Sequence, residues 1–517
     1  MGQLWNRLFW SNPEFVRHRR AELRPARAIT VAAVVVAMCV LLGLACWSFE
    51  QNLLESAQIR AEDFARVTWL LLYYWLVGLQ GIALTFWTLS SCAQSVAGER
   101  DQKTWEFQRT TGMTAAELLI GKLMGEPVLV YFAVACAAPI TLIAGLAGGL
   151  SFLTVISVFL SLAVSSAFLG LGGMWLSTLL ESRTRGIGLM GALVLYGITL
   201  GIFGMSESGL PGLAAISPVT YMIQILGDQS AKLRAPVLFG HEISWPLMSV
   251  LLCGSFGAWL VLMLVRNLKR DYPEIRPLSR WQAVGCAAFL NFLIYALMRP
   301  VTPGERESFG FSNAASVALF VVAMNGVILF LMGLATLTPQ ERLKVWQRQR
   351  ATHESALFAD DGLPWPWMGI SAVVAYALMV WGLMAWNHAL PVDMSTLQSS
   401  AIRLLLVLVF VTRDILFLQW CMLTRLRQPV MKGVLFLGLY YVAAAVLTGL
   451  AAVSSDAAAR WMMALLTPVM VFDPEVKGLA FPAAAYAGLA LQTGVIGAVL
   501  VAISSRLQRP MRAGAAA

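Results

Sequence analysis

The thirty residues GERDQKTWEFQRTTGMTAAELLIGKLMGEP, positions 98–127, form the most structured polar stretch of the chain and lie between two long apolar runs. They read as two short helices. The first, over 99–109, opens with Glu99 and Asp101, where the helix dipole favours anions, and stops before Gly112. The second opens on Thr114-Ala115-Ala116-Glu117, a capping box in which hydroxyl and carboxylate each satisfy a backbone N–H, with Met113 and Leu118 at the positions of a hydrophobic staple. It runs through Gly121 and Lys122 to a break at Gly125-Glu126-Pro127, and Pro127 suits the first turn of a new helix.

The flanking runs, 67–92 and 127–149, are each long enough to cross about 30 Å of hydrocarbon, which takes about 20 apolar residues. Ten more follow the same rule, at 28–47, 152–180, 186–205, 246–265, 282–298, 314–337, 367–386, 402–423, 433–453 and 480–504. The composition agrees: 517 residues, 58% hydrophobic and only 13% charged, leave too little polar surface for water-facing domains. The chain is therefore expected to be an all-α polytopic membrane protein of twelve spans. Of 37 Lys and Arg, 27 fall in the termini and even-numbered loops and nine in or at the edge of the odd-numbered loops, so both termini are predicted cytoplasmic and the +9 net charge is read as orientation and not as affinity for nucleic acid. The first 27 residues are too polar for a cleavable signal. All seven cysteines fall in or beside apolar runs, and four scattered histidines have no partner at ligand spacing, so neither disulfides nor a metal site is expected.

The 98–127 segment resembles the signature of ABC-2-type transporter permeases, in which an acidic ER or EE pair, a Thr and an apolar residue before Glu, a Thr or Ser cap, a Glu and a Gly-Lys pair follow the second span. The matching positions are Glu99, Arg100, Thr104, Trp105, Glu106, Thr114, Glu117, Gly121 and Lys122. Lys103 departs from the family's usual Gly, and Gly112 from its frequent Pro. The resemblance implies that residues 98–125 form a coupling element docking on a cytoplasmic ATPase. It also implies two ATPase copies supplying ATP and Mg chemistry, room for accessory subunits, and residence in the plasma (inner) membrane. The N-terminal tail fits the interfacial helix such permeases carry: Trp5, Leu8, Phe9, Val16 and Leu23 at near-helical spacing, an Asn12-Pro13 cap, and Arg17, Arg19, Arg20 and Arg24 as a basic face. A generic polybasic anchor on the inner leaflet reads equally well.

Two anchors recur at half-chain offset. Glu99-Arg100 with Trp105 is echoed by Glu341-Arg342 with Trp346, and Ser217-Pro218 by Thr467-Pro468. The expected organisation is an N-terminal segment 1–27, a six-span unit 28–272 and a second unit 273–517 whose loop has lost the capping box and the Gly-Lys pair. The resemblance places the Ser/Thr-Pro segments in short re-entrant or extracellular elements. The only Gly-Lys pair precedes Leu123 and is no P-loop, so ATP hydrolysis is assigned to a partner and the chain to a non-enzymatic, cofactor-free permease. Arg413 and Asp414, about 16 Å into a span at 1.5 Å per residue, are candidates for a functional site or a structural lock. Gln80, Asn291 and Asn325 suit interhelical hydrogen bonds. An ATP-driven exporter of an amphipathic or hydrophobic substrate moving between the two halves is the leading reading; an ion- or proton-coupled twelve-span transporter is the alternative, and a lipid-modifying membrane enzyme, which wants His or acidic clusters, is third.

Overall fold

In a bilayer every backbone polar group must be satisfied within its own segment, and each of the twelve apolar runs is accordingly helical over most of its described residues. The structure, a computed structural model, describes residues 11–55, 63–110, 112–179, 185–202, 210–218, 235–270, 276–299, 313–351, 360–388, 390–424, 429–469 and 483–515. Trp5, Leu8 and Phe9 lie outside the described residues.

The chain divides into two units, Met1–Ile275 with Leu297–Arg299 and Arg276–Ala296 with Pro300–Ala517. In the first, α1 (Pro13–Glu22) precedes α2 (Pro25–Glu55), α3 (Phe64–Asp101), α4 (Trp105–Thr110), α5 (Ala115–Gly125), α6 (Val128–Ala147), α7 (Phe152–Leu179), α8 (Arg185–Gly201) and α9 (Trp245–Asn267). A 3-10 turn, Pro211–Ile216, leads into Ser217-Pro218. The second contains α10 (Arg280–Leu297), α11 (Ala314–Ala335), α12 (Gln340–Ala351), α13 (Trp365–Ala385), α14 (Met394–Met422), α15 (Pro429–Ser454), α16 (Asp456–Leu466) and α17 (Ala483–Ala515). Among the described residues nine helices, α2, α3, α6, α7, α9, α11, α13, α15 and α17, are long and apolar enough to cross a membrane. The other three predicted spans, α8, α10 and α14, are helical as well. Helix α14 begins at Met394 and not near 402, because a polar first turn also folds into it, with Ser399 and Ser400 hydroxyls donating to the Thr396 carbonyl. Among the described residues one β pair, unforeseen in the apolar pattern, joins Val237–Leu238 (β1) to His241–Glu242 (β2) through Phe239 and Gly240, both at positive φ.

Helix α3 departs most from expectation. It runs nine residues past Cys92 and contains a π-helical turn, Ala83–Trp87. Its upper half packs Tyr73, Leu76 and Val77 with Val155, Val158 and Leu162; its lower half packs Cys92 and Val96 with Leu118, Leu119 and Met174. Close approach of α3 to α7 rests on Gly173, where a Cβ would sit 2.4 Å from the Leu89 carbonyl oxygen. Gln80 bridges α3 to Thr141 of α6 at 2.6 Å. In the second unit Asn291 and Asn325 exchange amide bonds of 3.1 and 2.8 Å between α10 and α11, and Val322, Leu329, Phe410 and Ile415 form its apolar core.

Candidate functional site

The loop between the second and third spans is a built object. Glu99 and Arg100 occupy the last turn of α3, where the expected helix over 99–109 would have placed them first; the dipole argument is therefore reversed and Glu99 needs a cation. The break lies at Lys103, whose φ of 58° is left-handed. Lys103 N–H donates to the Arg100 carbonyl and Thr104 N–H to that of Glu99, both at 3.0 Å, the two bonds of a Schellman termination whose left-handed position glycine usually fills. Helix α4 then begins at Trp105, which is buried, while Gln108 one turn on donates to Glu99 Oε1 at 2.6 Å. Thr114 caps α5 with both arms of its box: Glu117 N–H to Thr114 Oγ1 at 3.1 Å and Thr114 N–H to Glu117 Oε2 at 2.7 Å. Met113 and Leu118 meet in one apolar cluster, as a staple requires.

Lys122 organises the site. Its side chain is fully buried, and Nζ donates to Glu99 Oε2 at 2.5 Å and to Glu14 Oε1 at 3.2 Å. Arg17 Nη2 reaches the same two carboxylates, at 2.8 and 2.7 Å. Two cations thus face two anions, which is what makes burying them tolerable. Burial alone would raise the Glu14 carboxyl, but His18 at 3.2 Å, Lys122 and Arg17 overcome it and hold it at about 2, below its ordinary 4.5. Burial raises Glu126, at the α5–α6 junction and 3.8 Å from His18. Asn12 caps α1 through Oδ1 and donates from Nδ2 to the Glu117 carbonyl at 2.7 Å, so one side chain starts one helix and ties it to another. A Cβ on Gly121 would fall 2.5 Å from Asn12 Oδ1 and 2.7 Å from Glu14 Cβ, and one on Gly125 3.0 Å from His18: the Gly-x-x-x-Gly edge of α5 is the seat of α1.

The signature residues therefore divide. Glu99, Trp105, Glu117, Gly121 and Lys122 are interior; Thr104, Glu106 and Thr114 are exposed, and Arg100 is half-buried with Nη1 on the Thr178 carbonyl of α7 at 3.1 Å. Residues 13–227, from the start of α1 past the Ser217-Pro218 turn, match the family described as ABC-2 type transporter. Over that stretch, less than half of its length, the chain is similar to the ABC-2 type transporters. No curated protein and no solved structure matches the chain. The charged cluster of Glu14, Arg17, Glu99 and Lys122 lies inside the matched segment and Asn12 directly precedes it, whereas α9 and the second unit lie outside it.

The second unit's counterparts are built differently. Glu341 and Arg342 sit in the first turn of α12 and not at the end of the preceding span; Glu341 is exposed, and only Trp346 keeps the burial of Trp105. Their loop is held by backbone recognition. Gln419 accepts from Thr338 N–H at 3.0 Å and donates to the Thr338 carbonyl at 2.8 Å. The buried Arg280 reaches the Thr338 hydroxyl at 2.8 Å and the Gly362 carbonyl at 2.7 Å, and Arg276 pairs with Asp361. Ser217 and Thr467 are alike: each is buried and follows a short helical element.

Arg413 and Asp414 are buried in α14, and all five guanidinium N–H positions are used. Nε and Nη2 donate to Asp414 Oδ1 at 2.9 and 2.6 Å, Nη2 also to Tyr441 at 3.0 Å, and Nη1 to Tyr440 and Gln492 at 3.0 and 2.9 Å. Tyr440 and Gln492 in turn donate to the Leu466 and Leu465 carbonyls at the end of α16. Cavities of about 320 and 410 Å³ border the pair, walled mainly by residues such as Phe417, Leu437, Phe330 and Val411. The arrangement joins α14, α15 and α17 and seats the C-terminal end of α16.

Glu14 escaped the sequence reading, and Asn12 and Arg17 were read only as a helix cap and part of a basic face, because partners some hundred positions away leave no local trace. The Gly121-x-x-x-Gly125 spacing was the one available sign that something packs closely on α5.

Proposed function

We propose that the chain is the membrane permease of an ATP-driven export system, two fused six-span units taking their power from two separate cytoplasmic ATPase subunits. The observation that carries this reading is the Lys122 cluster inside a segment of ABC-2 type. A push on α4 and α5 cannot be absorbed locally: Lys122, Arg17 and Asn12 fasten α5 to α1 and to the end of α3, and the chain leaves α5 directly into α6. Nucleotide-driven movement of the ATPase is then delivered to the ends of α3 and α6 as a rigid displacement. The excess of basic residues in the termini and even-numbered loops supports cytoplasmic termini, and with them the clamp, in the plasma membrane. The apolar interior favours an amphipathic or hydrophobic cargo. In the second unit the saturated Arg413 acts as a lock: no donor on it is left for a coupling ion's ligand or a substrate.

Purification from native membranes tests the proposal. A protein carrying a G-x-x-x-x-G-K-[ST] loop is expected to co-purify with the full chain, and its ATP hydrolysis to change when Lys122→Met is introduced. A chain that purifies intact with no such protein and transports without ATP would overturn it.

A further inference from the structure

Helix α4 has two faces of opposite character. Trp105 is buried among Val96, Leu118 and Leu264, with the Arg100 and Lys122 cations 5.9 and 5.8 Å from its ring, and Gln108 is tied to Glu99. These contacts hold the helix at its first and fourth residues. Phe107, one residue off that inner face, is 75% exposed, although it stands outside the spans between Glu106 and Thr110, themselves exposed. An exposed aromatic ring on a rigid support, flanked by exposed polar residues, is the arrangement of an anchor residue that fills a partner's pocket. The counterpart helix α12 carries no such ring. Two positions after Trp346, where Phe107 stands relative to Trp105, it has Arg348, also exposed.

We infer that Phe107 is the knob by which the first unit docks, filling an apolar pocket on the cytoplasmic ATPase, and that the second unit meets its ATPase without an equivalent. The inference rests on the coupling role proposed above. Rigid presentation favours it, since Trp105 and Gln108 have already removed the freedom that docking would otherwise have to freeze.

The test places the photoreactive amino acid benzoylphenylalanine at position 107, and separately at 106 and 348, in the full chain in its own membrane. Adducts are identified by mass spectrometry. Position 107 is expected to capture a protein with a G-x-x-x-x-G-K-[ST] loop and position 348 to capture none. Phe107→Ala should lower co-purification of that protein at least about tenfold, with Phe107→Leu retaining most of it. Capture of phospholipid from 107 would place the ring in the membrane surface and overturn the inference. So would capture from 106 with Phe107→Ala binding undiminished, although the coupling role would then stand. If no position captures such a protein, the coupling role itself fails and the knob with it.

Discussion

The loops after the second span of each unit solve one mechanical problem with different chemistry. In the first unit a buried lysine draws two carboxylates together and fastens a helix from the N-terminal tail; in the second, a glutamine and an arginine read carbonyls, an amide and a hydroxyl. Ion clusters are intolerant of partial removal, whereas amide pairing degrades one bond at a time. The first loop is therefore a unit that moves whole or fails whole, and the second is a fixture.

The sharpest way to break that contrast is Lys122→Met. It leaves Glu14 and Glu99 facing each other in a dry site with only the half-exposed Arg17 between them, and is expected to remove about 3–5 kcal/mol of stability. Thermal unfolding of the purified chain, together with protease release of the N-terminal segment, would register it; unchanged α1 protection would show that the cluster does not hold the helix.

Acid should reach the same end without mutation. The folded Glu14 carboxyl sits below its ordinary value, so its contribution is complete above about 4.5 and disappears as pH falls toward about 2. Release of α1 across that window, measured by hydrogen exchange, is expected to precede loosening of the second loop, which Arg280 holds largely through carbonyl oxygens and a hydroxyl.

Gly121→Ala keeps every charge yet puts a methyl 2.5 Å from Asn12 Oδ1, and a loss of about 1–3 kcal/mol with α1 displaced is the expected result. Gln419→Leu probes the other side, orphaning the Thr338 amide and carbonyl for about 1–3 kcal/mol, with no effect on α1. Lys103→Gly should be the mildest, a gain of roughly 1 kcal/mol from relieving a left-handed lysine. A loss there would mean that the lysine side chain itself supports the turn.

Much of this frame was legible from residues alone. Helix positions followed from apolar runs, and the Thr114 box, the staple and the Asn12-Pro13 cap are local patterns that tertiary context left intact. Where reading failed, the cause was continuity. A rule that ends a span at its first charge stops α3 near Cys92, yet helical backbone tolerates Glu99 and Arg100 once Lys122 and the Thr178 carbonyl receive them. Lys103 was visible as a departure from the usual Gly, but only its φ reveals what that glycine was for. The exposed signature residues were not separable from the interior ones, since spacing in a segment with two breaks does not say which way a side chain points.

The π turn in α3 bears on all of this through phase. An α-helix advances about 100° per residue, so one surplus residue in a wide turn rotates everything after it by that amount relative to everything before. The upper half of α3 faces its neighbours through Tyr73, Val77 and Gln80, the lower half through Leu89, Cys92, Val96 and Glu99. If Ala83–Trp87 wound as plain α-helix with no residue removed, Glu99 would swing about a quarter-turn away from Lys122 without either being touched, whereas deleting one residue there would remove the surplus and leave that setting intact. The angular setting of the clamp is thus fixed three turns away, by a miscount in the spiral.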